Sequence, residues 1–354
     1  MIRRIFLKQN IYSYQIEEIS KNLIQALEKL KDSHVLVTGG AGFIGSNIVG
    51  FLLENNIRVS VLDNLATGRI SNLEEFSDNP MFTFIEGDIT NYDTCIKALA
   101  GIDVVTHQAA LGSVPRSIEL PHNTHNVNAT GFLNMLHATK ESGVKRFVYA
   151  SSSSVYGNSK VSPKNIGDEG ELLSPYAVTK KLNEDYANVY HKLHDIETVG
   201  LRYFNVFGPK QDPNGVYAAA IPKFIDKMIS GDELTIHGDG GQTRDFTYVM
   251  NAVKANILGL TAEDTRAFGN AFNVACGEYF SLNDVVQEIK ENLIKRNKFN
   301  SNCKVVNGPD RPGDIRDSLA NIELTEQLLG YNEPIYFKDG MEIYCDWLEQ
   351  SDNL

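Results

Sequence analysis

The sequence predicts an α/β protein: a doubly wound parallel sheet followed by a smaller C-terminal α/β lobe. Three observations carry this. Strand-like apolar runs alternate with helical stretches from His34 to Tyr203, the pattern of a parallel sheet covered on both faces. The first run ends in spaced glycines that open a helix. After Phe204 the pattern loosens into loops rich in Gly, Pro, Asn and Asp at 208–215, 238–243 and 307–313.

The strand-like runs are 34–38, 58–62, 81–85, 103–106, 145–150 and 198–203, the last closing the series. Helical patterns begin at Phe43 and cover 127–141 and 176–193. Shorter ones in the lobe cover 221–229, 249–260, 282–294 and 337–348. Ahead of the sheet, 15–30 sets Ile16, Ile19, Leu23, Leu27 and Leu30 on one helical face, which reads as a helix packed over the main domain. The expected division is an N-terminal helical extension at 1–32, the sheet domain at 33–205 and the lobe at 206–354. A stretch of about 247–275 is a candidate to return to the sheet domain.

Composition narrows the function. With 354 residues, 42% hydrophobic and 22% charged, the chain has ordinary globular content. A formal net charge of -12 argues against non-specific nucleic-acid binding, which needs a basic face. Cys95, Cys276, Cys303 and Cys345 show no paired spacing, so neither a zinc site nor a disulfide framework is expected, and a reducing cytoplasmic compartment fits. No apolar run approaches the roughly 20 residues of a membrane span. Residues 1–7 lack the apolar core of a secretory signal.

The run His34-Val-Leu-Val-Thr-Gly39-Gly-Ala-Gly42-Phe-Ile-Gly45 joins a strand to a helix through glycines. Such a turn lets the backbone approach a pyrophosphate, which the helix N-terminus then receives on free N–H groups. The registers Gly39–Gly42–Gly45 and Gly40–Gly42–Gly45 both fit. Asp63 closes the second strand-like run 18 positions after Gly45. A carboxylate there binds ribose hydroxyls and repels a 2′-phosphate, favouring NAD over NADP. The sheet domain is therefore expected to be of Rossmann type.

A serine run, Ser151-Ser152-Ser153-Ser154, follows the fifth apolar run, at the carboxyl edge where parallel sheets bind ligands. Ser174-Pro175-Tyr176-Ala-Val-Thr-Lys180 then opens a helix, with Tyr176 and Lys180 four apart on one face. A free tyrosine ionises near pH 10. A neighbouring lysine cation is expected to favour the phenolate and lower that value, and a serine hydroxyl to hydrogen-bond the reacting alcohol oxygen.

These residues resemble the extended short-chain dehydrogenase/reductase family over nearly everything from His34 onward. The landmarks include 38–45, Asp63, 87–89, 107–110, 126–128, Tyr176 with Lys180, and 201–206. The resemblance implies bound NAD, a nucleotide-sugar in the C-terminal lobe, and Ser152, Tyr176 and Lys180 as the catalytic set. It assigns Gly39, Gly42, Phe43, Ile44, Gly45, Asp63, Asn64, Asp88, Ile89, Gln108, Ala109, Ala110, Asn128 and Tyr203 to the cofactor, beside Tyr176 and Lys180. Asp88 and Ile89 would lie near the adenine.

Within the family, dehydratases carry an Asp–Glu pair where this chain has Ser153 and Ser154, which have no acid or base to offer an elimination. The Glu usual in decarboxylases is absent as well. The stretches 108–117, 174–180 and 203–220 resemble the group that interconverts UDP-N-acetylglucosamine and UDP-N-acetylgalactosamine at C4 for bacterial surface polysaccharides. That likeness implies an isomerase with a 4-keto intermediate. Arg244, Arg311 and Asp314 would grip UDP, Asn205 would touch substrate, and Ser113 and Ser153 would add contacts. Ser318 would stand at the gate beside the sugar's C2 group, where a tyrosine would exclude an N-acetyl group. The resemblance further implies a homodimer through 127–141 and 176–193. Three alternatives stay open. One is a UDP-hexose or a uronic-acid substrate met by an arginine such as Arg316. Another is a dehydratase or decarboxylase on the same scaffold. The last is a non-catalytic NAD-binding protein.

Overall fold

The computed structural model describes residues 21–213, 219–309 and 316–350. It opens with α1 (Lys21–Leu30) and continues through β1 (His34–Thr38), α2 (Phe43–Glu54), β2 (Arg58–Asp63), β3 (Phe82–Glu86), α3 (Tyr92–Ala98) and β4 (Val104–His107). Then come α4 (Val114–Glu119), α5 (Pro121–His125), α6 (Phe132–Glu141), β5 (Arg146–Ser152), α7 (Pro175–His194) and β6 (Glu197–Tyr203). The remaining elements are β7 (Val206–Phe207), α8 (Ala220–Ser230), β8 (Leu234–His237), β9 (Thr243–Arg244), β10 (Thr247–Tyr248) and α9 (Val249–Thr261). After these follow β11 (Asn270–Val274), β12 (Phe280–Ser281), α10 (Leu282–Lys295), β13 (Val305–Gly308), β14 (Asp317–Ser318), α11 (Glu323–Leu329) and α12 (Phe337–Gln350).

Seven parallel strands form the main sheet in the order β11-β6-β5-β4-β1-β2-β3. The fold is Rossmann-like, as expected. The order reverses between β1 and β4, which leaves a crevice at the strand ends there. Val35, Leu36 and Val37 of β1 are fully buried, as a central strand covered on both faces requires.

Three features sharpen the sequence expectation, the first two within the stretch of about 247–275 that is a candidate to return to the sheet domain. The sheet does not end at β6: β11 pairs with it in parallel from Asn270 to Val274. The helix expected over 249–260 belongs against that sheet, and every residue from Val249 to Leu260 is buried, as suits a helix apolar nearly all round. The helix expected over 127–141 is interrupted by a π turn, Asn126–Gly131, before α6. Of the helix expected over 15–30, Lys21–Leu30 is described. It lays Leu23, Ala26 and Leu30 against α9. No helix among the described residues is long and apolar enough to cross a membrane.

Candidate active site

A cavity of about 480 Å³ opens at the crevice between β1 and β4. Gly39, Gly42, Phe43, Ile44 and Gly45 form one wall, and Asp63, Asn64, Asp88, Ile89 and Gln108–Ala110 extend it. The turn keeps the register Gly39–Gly42–Gly45, since Gly40 packs against Val61 instead. Gly39 has φ +68°, in the left-handed region that favours glycine. A Cβ on Gly45 would come within 2.2 Å of the Gly39 carbonyl oxygen. The glycines thus leave a cradle that any side chain would fill, at the open N-terminus of α2, where a pyrophosphate is received.

The Asp63 carboxylate accepts the Ala41 N–H at 3.0 Å and the Leu65 N–H at 2.8 Å, which fixes both oxygens beside that turn. Burial raises its pKa, and the two backbone bonds oppose the rise. Asn64 donates to Asp88 at 2.9 Å, and Thr90 donates to Asp88 through backbone and hydroxyl. Against the pull of burial, these bonds hold the Asp88 carboxyl below its ordinary range.

Two residues expected at the cofactor also hold the cleft wall in place. Asn128, in the π turn, is buried and clamps Leu111, accepting its N–H at 2.7 Å and donating to its carbonyl at 3.1 Å. Its side chain is spent on positioning the cleft wall. Gln108 donates to Thr106 and to Asn256 of α9, both at 2.9 Å, and accepts from the Tyr203 hydroxyl at 3.0 Å. Asn256 in turn donates to the Tyr203 oxygen at 2.7 Å. Every polar atom of the Gln108 amide is engaged in this network.

At the inner end stand Tyr176 and Lys180, both on α7 and both lining the cavity. Ser174 caps the helix by accepting the Ala177 N–H, and Pro175 fills its first turn. Lys180 is buried, donates to the Ala150 carbonyl at 2.7 Å, and sits 5.9 Å from the Tyr176 ring centroid. Burial pulls its pKa down to about 8, and Glu184 opposes this. Ser152 accepts the Ser154 N–H at 3.1 Å and is near enough to act on the Tyr176 phenol. A hydroxyl whose oxygen already accepts an N–H has its proton free to donate. The expected lowering of the Tyr176 pKa is corrected here: burial raises it, and the nearby Ser152 hydroxyl opposes the rise. His107, buried between the Phe132 and Phe147 rings and bonded to Thr38, is pushed down to about 3 by burial and by Lys180.

The residues expected to meet the substrate are less tightly grouped. Ser113 lines the cavity and caps α4, accepting the Arg116 N–H at 3.2 Å. Arg244 and Ser318 are neighbours in the parallel pairing of β9 and β14. Asn205 donates to the Asp245 carbonyl at 2.9 Å, and the Asp245 N–H reaches the Ser318 carbonyl at 2.8 Å. Asn205, Ser152, Ser153, Arg244 and Ser318 fall outside the cavity wall as described. Arg311 and Asp314 lie outside the described residues. Arg316, the arginine that a uronic acid would meet, holds Asp239 with two bonds of 3.0 Å.

Sequence reasoning missed Asn256, Glu184, Arg202 and Ser151. Glu184 had a signal: it lies four beyond Lys180, on the same helical face. Asn256 had a weaker one, a polar residue inside an apolar helix.

A glycine cradle at a strand-to-helix turn, an aspartate at the end of the second strand that lines the same cavity and a Ser–Tyr–Lys cluster at the carboxyl edge of a parallel sheet define a dinucleotide-dependent enzyme acting on an alcohol or ketone. A sequence model of the NAD dependent epimerase/dehydratase family matches residues 35–275, and the chain belongs to that family. A putative UDP-glucose 4-epimerase of Methanocaldococcus jannaschii is 36% identical over 319 residues, 90% of this chain and 99% of that protein. The structure of a UDP-N-acetylglucosamine 4-epimerase from Methanobrevibacter ruminantium, in complex with UDP-N-acetylmuramic acid, superposes with a TM-score of 0.82 at 36% identity. The match covers 91% of this chain and 99% of that one. A UDP-glucuronic acid 4-epimerase from Bacillus cereus, in complex with UDP-glucuronic acid and NAD, gives a TM-score of 0.80 at 33% identity, covering 90% and 99%. NAD is the cofactor, and the glycine cradle and the Asp63 carboxylate fit it.

Proposed function

We propose that this chain is a UDP-N-acetylhexosamine 4-epimerase that interconverts UDP-GlcNAc and UDP-GalNAc for surface-polysaccharide precursors. It would work in the cytoplasm as a homodimer, with a cofactor domain at 33–205, a sugar-binding lobe at 206–354 and a helical extension at 1–32. The observation that carries the reading is Tyr176 beside buried Lys180 in the cavity at the end of β5, with Ser152 followed by two serines where elimination chemistry needs an acid and a base.

In this reading Tyr176 takes the proton of the C4 hydroxyl as C4 gives up hydride; the 4-keto sugar turns in the pocket, and Tyr176 returns the proton to the C4 oxygen as hydride comes back to the other face of C4. Ser152 donates to the C4 oxygen and helps hold the phenol in line. Lys180 places a positive charge beside Tyr176, favouring the phenolate against the burial that disfavours it. NAD, when bound, supplies the reversible hydride acceptor, so the reaction has no net redox change. Arg244, with Arg311 and Asp314, would hold the nucleotide. The small Ser318 beside Arg244 leaves room for an acetamido group. Arg316 is already engaged by Asp239, which favours the acetamido reading over a uronic acid.

Purified protein is incubated without added NAD with UDP-GlcNAc, UDP-GlcNAcA and UDP-Glc in parallel, and the products are resolved by anion exchange. Conversion of UDP-GlcNAc to its 4-epimer without net NADH is the expected outcome, and Ser318→Tyr is expected to lose that conversion while keeping UDP-Glc. Exclusive turnover of the uronic acid sinks the substrate assignment. No turnover of any of the three, even with NAD added, sinks the epimerase reading.

A further inference from the structure

Beside the Tyr176–Lys180 pair, four charged side chains of alternating sign stand in series: Lys180, Glu184, Arg202 and Glu169. Glu184 lies one turn beyond Lys180 on α7 and is 7% exposed, and Arg202 on β6 is 3% exposed. The Arg202 fork closes on Glu184 through Nε to Oε1 and Nη2 to Oε2, both at 2.8 Å. The Ser151 hydroxyl donates to the same Oε1 at 2.6 Å. On its far side Arg202 meets Glu169 at 2.5 Å and lies over the Tyr156 ring, 4.9 Å from its centroid. The proton and hydride chemistry above gives Glu184, Arg202 and Glu169 no task.

Their arrangement supplies one. A buried carboxylate gripped by a bidentate arginine and a hydroxyl has no freedom to turn away, so its charge is fixed in place beside Lys180. Two consecutive residues of β5 do the holding. The Ala150 carbonyl receives the lysine, and the Ser151 hydroxyl holds the glutamate. We propose that Glu184 is a positioning residue that keeps Lys180 protonated through the working pH range, with Arg202 limiting its pull. This rests on the reading of Lys180 as part of the catalytic set.

The electrostatics agree in sign. Burial alone pulls the lysine toward neutrality, and Glu184 opposes it. The other ionisable groups facing the pair do not substitute for it. His107 from β4 is pushed down to about 3 and stays neutral. Tyr149 from β5 is pushed well up by burial and stays protonated. Tyr176, on the same helix, is raised as well. Arg202 from β6 is a cation and opposes a charge on Lys180, while Glu169 offsets part of it. Neutralising Glu184 therefore lets Lys180 lose its proton at lower pH. Neutralising Arg202 frees the Glu184 charge and holds that proton to higher pH.

The test is the alkaline limb of the kcat–pH profile in the full-length protein, with NADH affinity against pH, read by nicotinamide fluorescence, as a second measurement. Glu184→Gln is expected to move the limb toward acid by about one pH unit and Arg202→Gln to move it toward base. Loss of packing alone would lower activity evenly across pH or move both limbs the same way. Unmoved limbs, or limbs moving together, overturn the proposal. Where one variant fails to fold by circular dichroism, the other's sign decides, in kcat or in NADH affinity. Lys180→Met separates the two levels: retained turnover overturns the catalytic reading of Lys180, whereas lost turnover with unmoved limbs overturns the role of Glu184 alone.

Discussion

At Gly45 one carbon atom decides whether the cofactor turn exists. A Cβ there would stand 2.2 Å from the Gly39 carbonyl, which is backbone and has nowhere to retreat. Gly45→Ala is expected to purify with at least tenfold less NAD than the unmodified chain, measured by release of the dinucleotide on denaturation. Tyr176→Phe tests a different residue of the same cavity. It removes one hydroxyl and keeps the ring, so NAD content is expected to hold while kcat falls about 10²–10⁴-fold, the range for a lost general base. Lys180 sets the pH at which this matters. Its pKa is lowered to about 8, so the cation is present below that pH and lost above it. Turnover is expected to decline as pH rises through about 8. A profile flat to pH 10 would show that the charge is not required.

At the scale of elements, the sequence carried most of the sheet, because β1 and β5 hold unbroken apolar runs at 35–37 and 147–150, β2 sets Val59, Val61 and Leu62 around Ser60, and the glycine turn marks the entry to α2. The seventh strand was harder to read. Asn270-Ala-Phe-Asn-Val presents asparagines where a buried strand shows aliphatic residues. Asn273 is buried all the same, donating to the carbonyls of Lys164 and Asn321 and accepting from Tyr156. The same limit hid the roles of Asn128 and Gln108. The family resemblance placed them near the cofactor, but which way an amide turns depends on tertiary partners such as Leu111 and Asn256. The α1 helix was legible through its one apolar face. Since it buries Leu23 and Leu30 against α9 and no residue of it lines the cavity, it is expected to serve stability alone. Leu23→Ala with Leu30→Ala should cost about 2–5 kcal/mol per site at the upper end and lower Tm by several degrees. Epimerase kcat should stay unchanged. A drop in kcat at a temperature where the variant is folded would give α1 a part in the site.

At the scale of the molecule, the outward face of α7 carries the assembly argument. Tyr176 and Lys180 point inward near its start, while Val178, Val189 and Leu193 are 49%, 46% and 71% exposed along its other side. Ile118 and Leu120 on neighbouring α4 and its end add 63% and 48% exposed apolar surface. Apolar side chains gathered on one helical face and left in water are expected to mark a surface for a partner, here a second copy of the chain. A two-fold axis would bring the same face of a second copy against it, as a self-complementary dimer requires. The catalytic helix would then have one side in the active site and the other in the interface, and dimer formation would stiffen the element that holds Tyr176. Val189→Glu with Leu193→Glu is expected to convert a dimer to a monomer in light scattering coupled to gel filtration, with kcat reduced and NAD still bound. A wild-type chain that elutes as a monomer at micromolar concentration would remove α7 as an interface and leave its apolar face without this explanation.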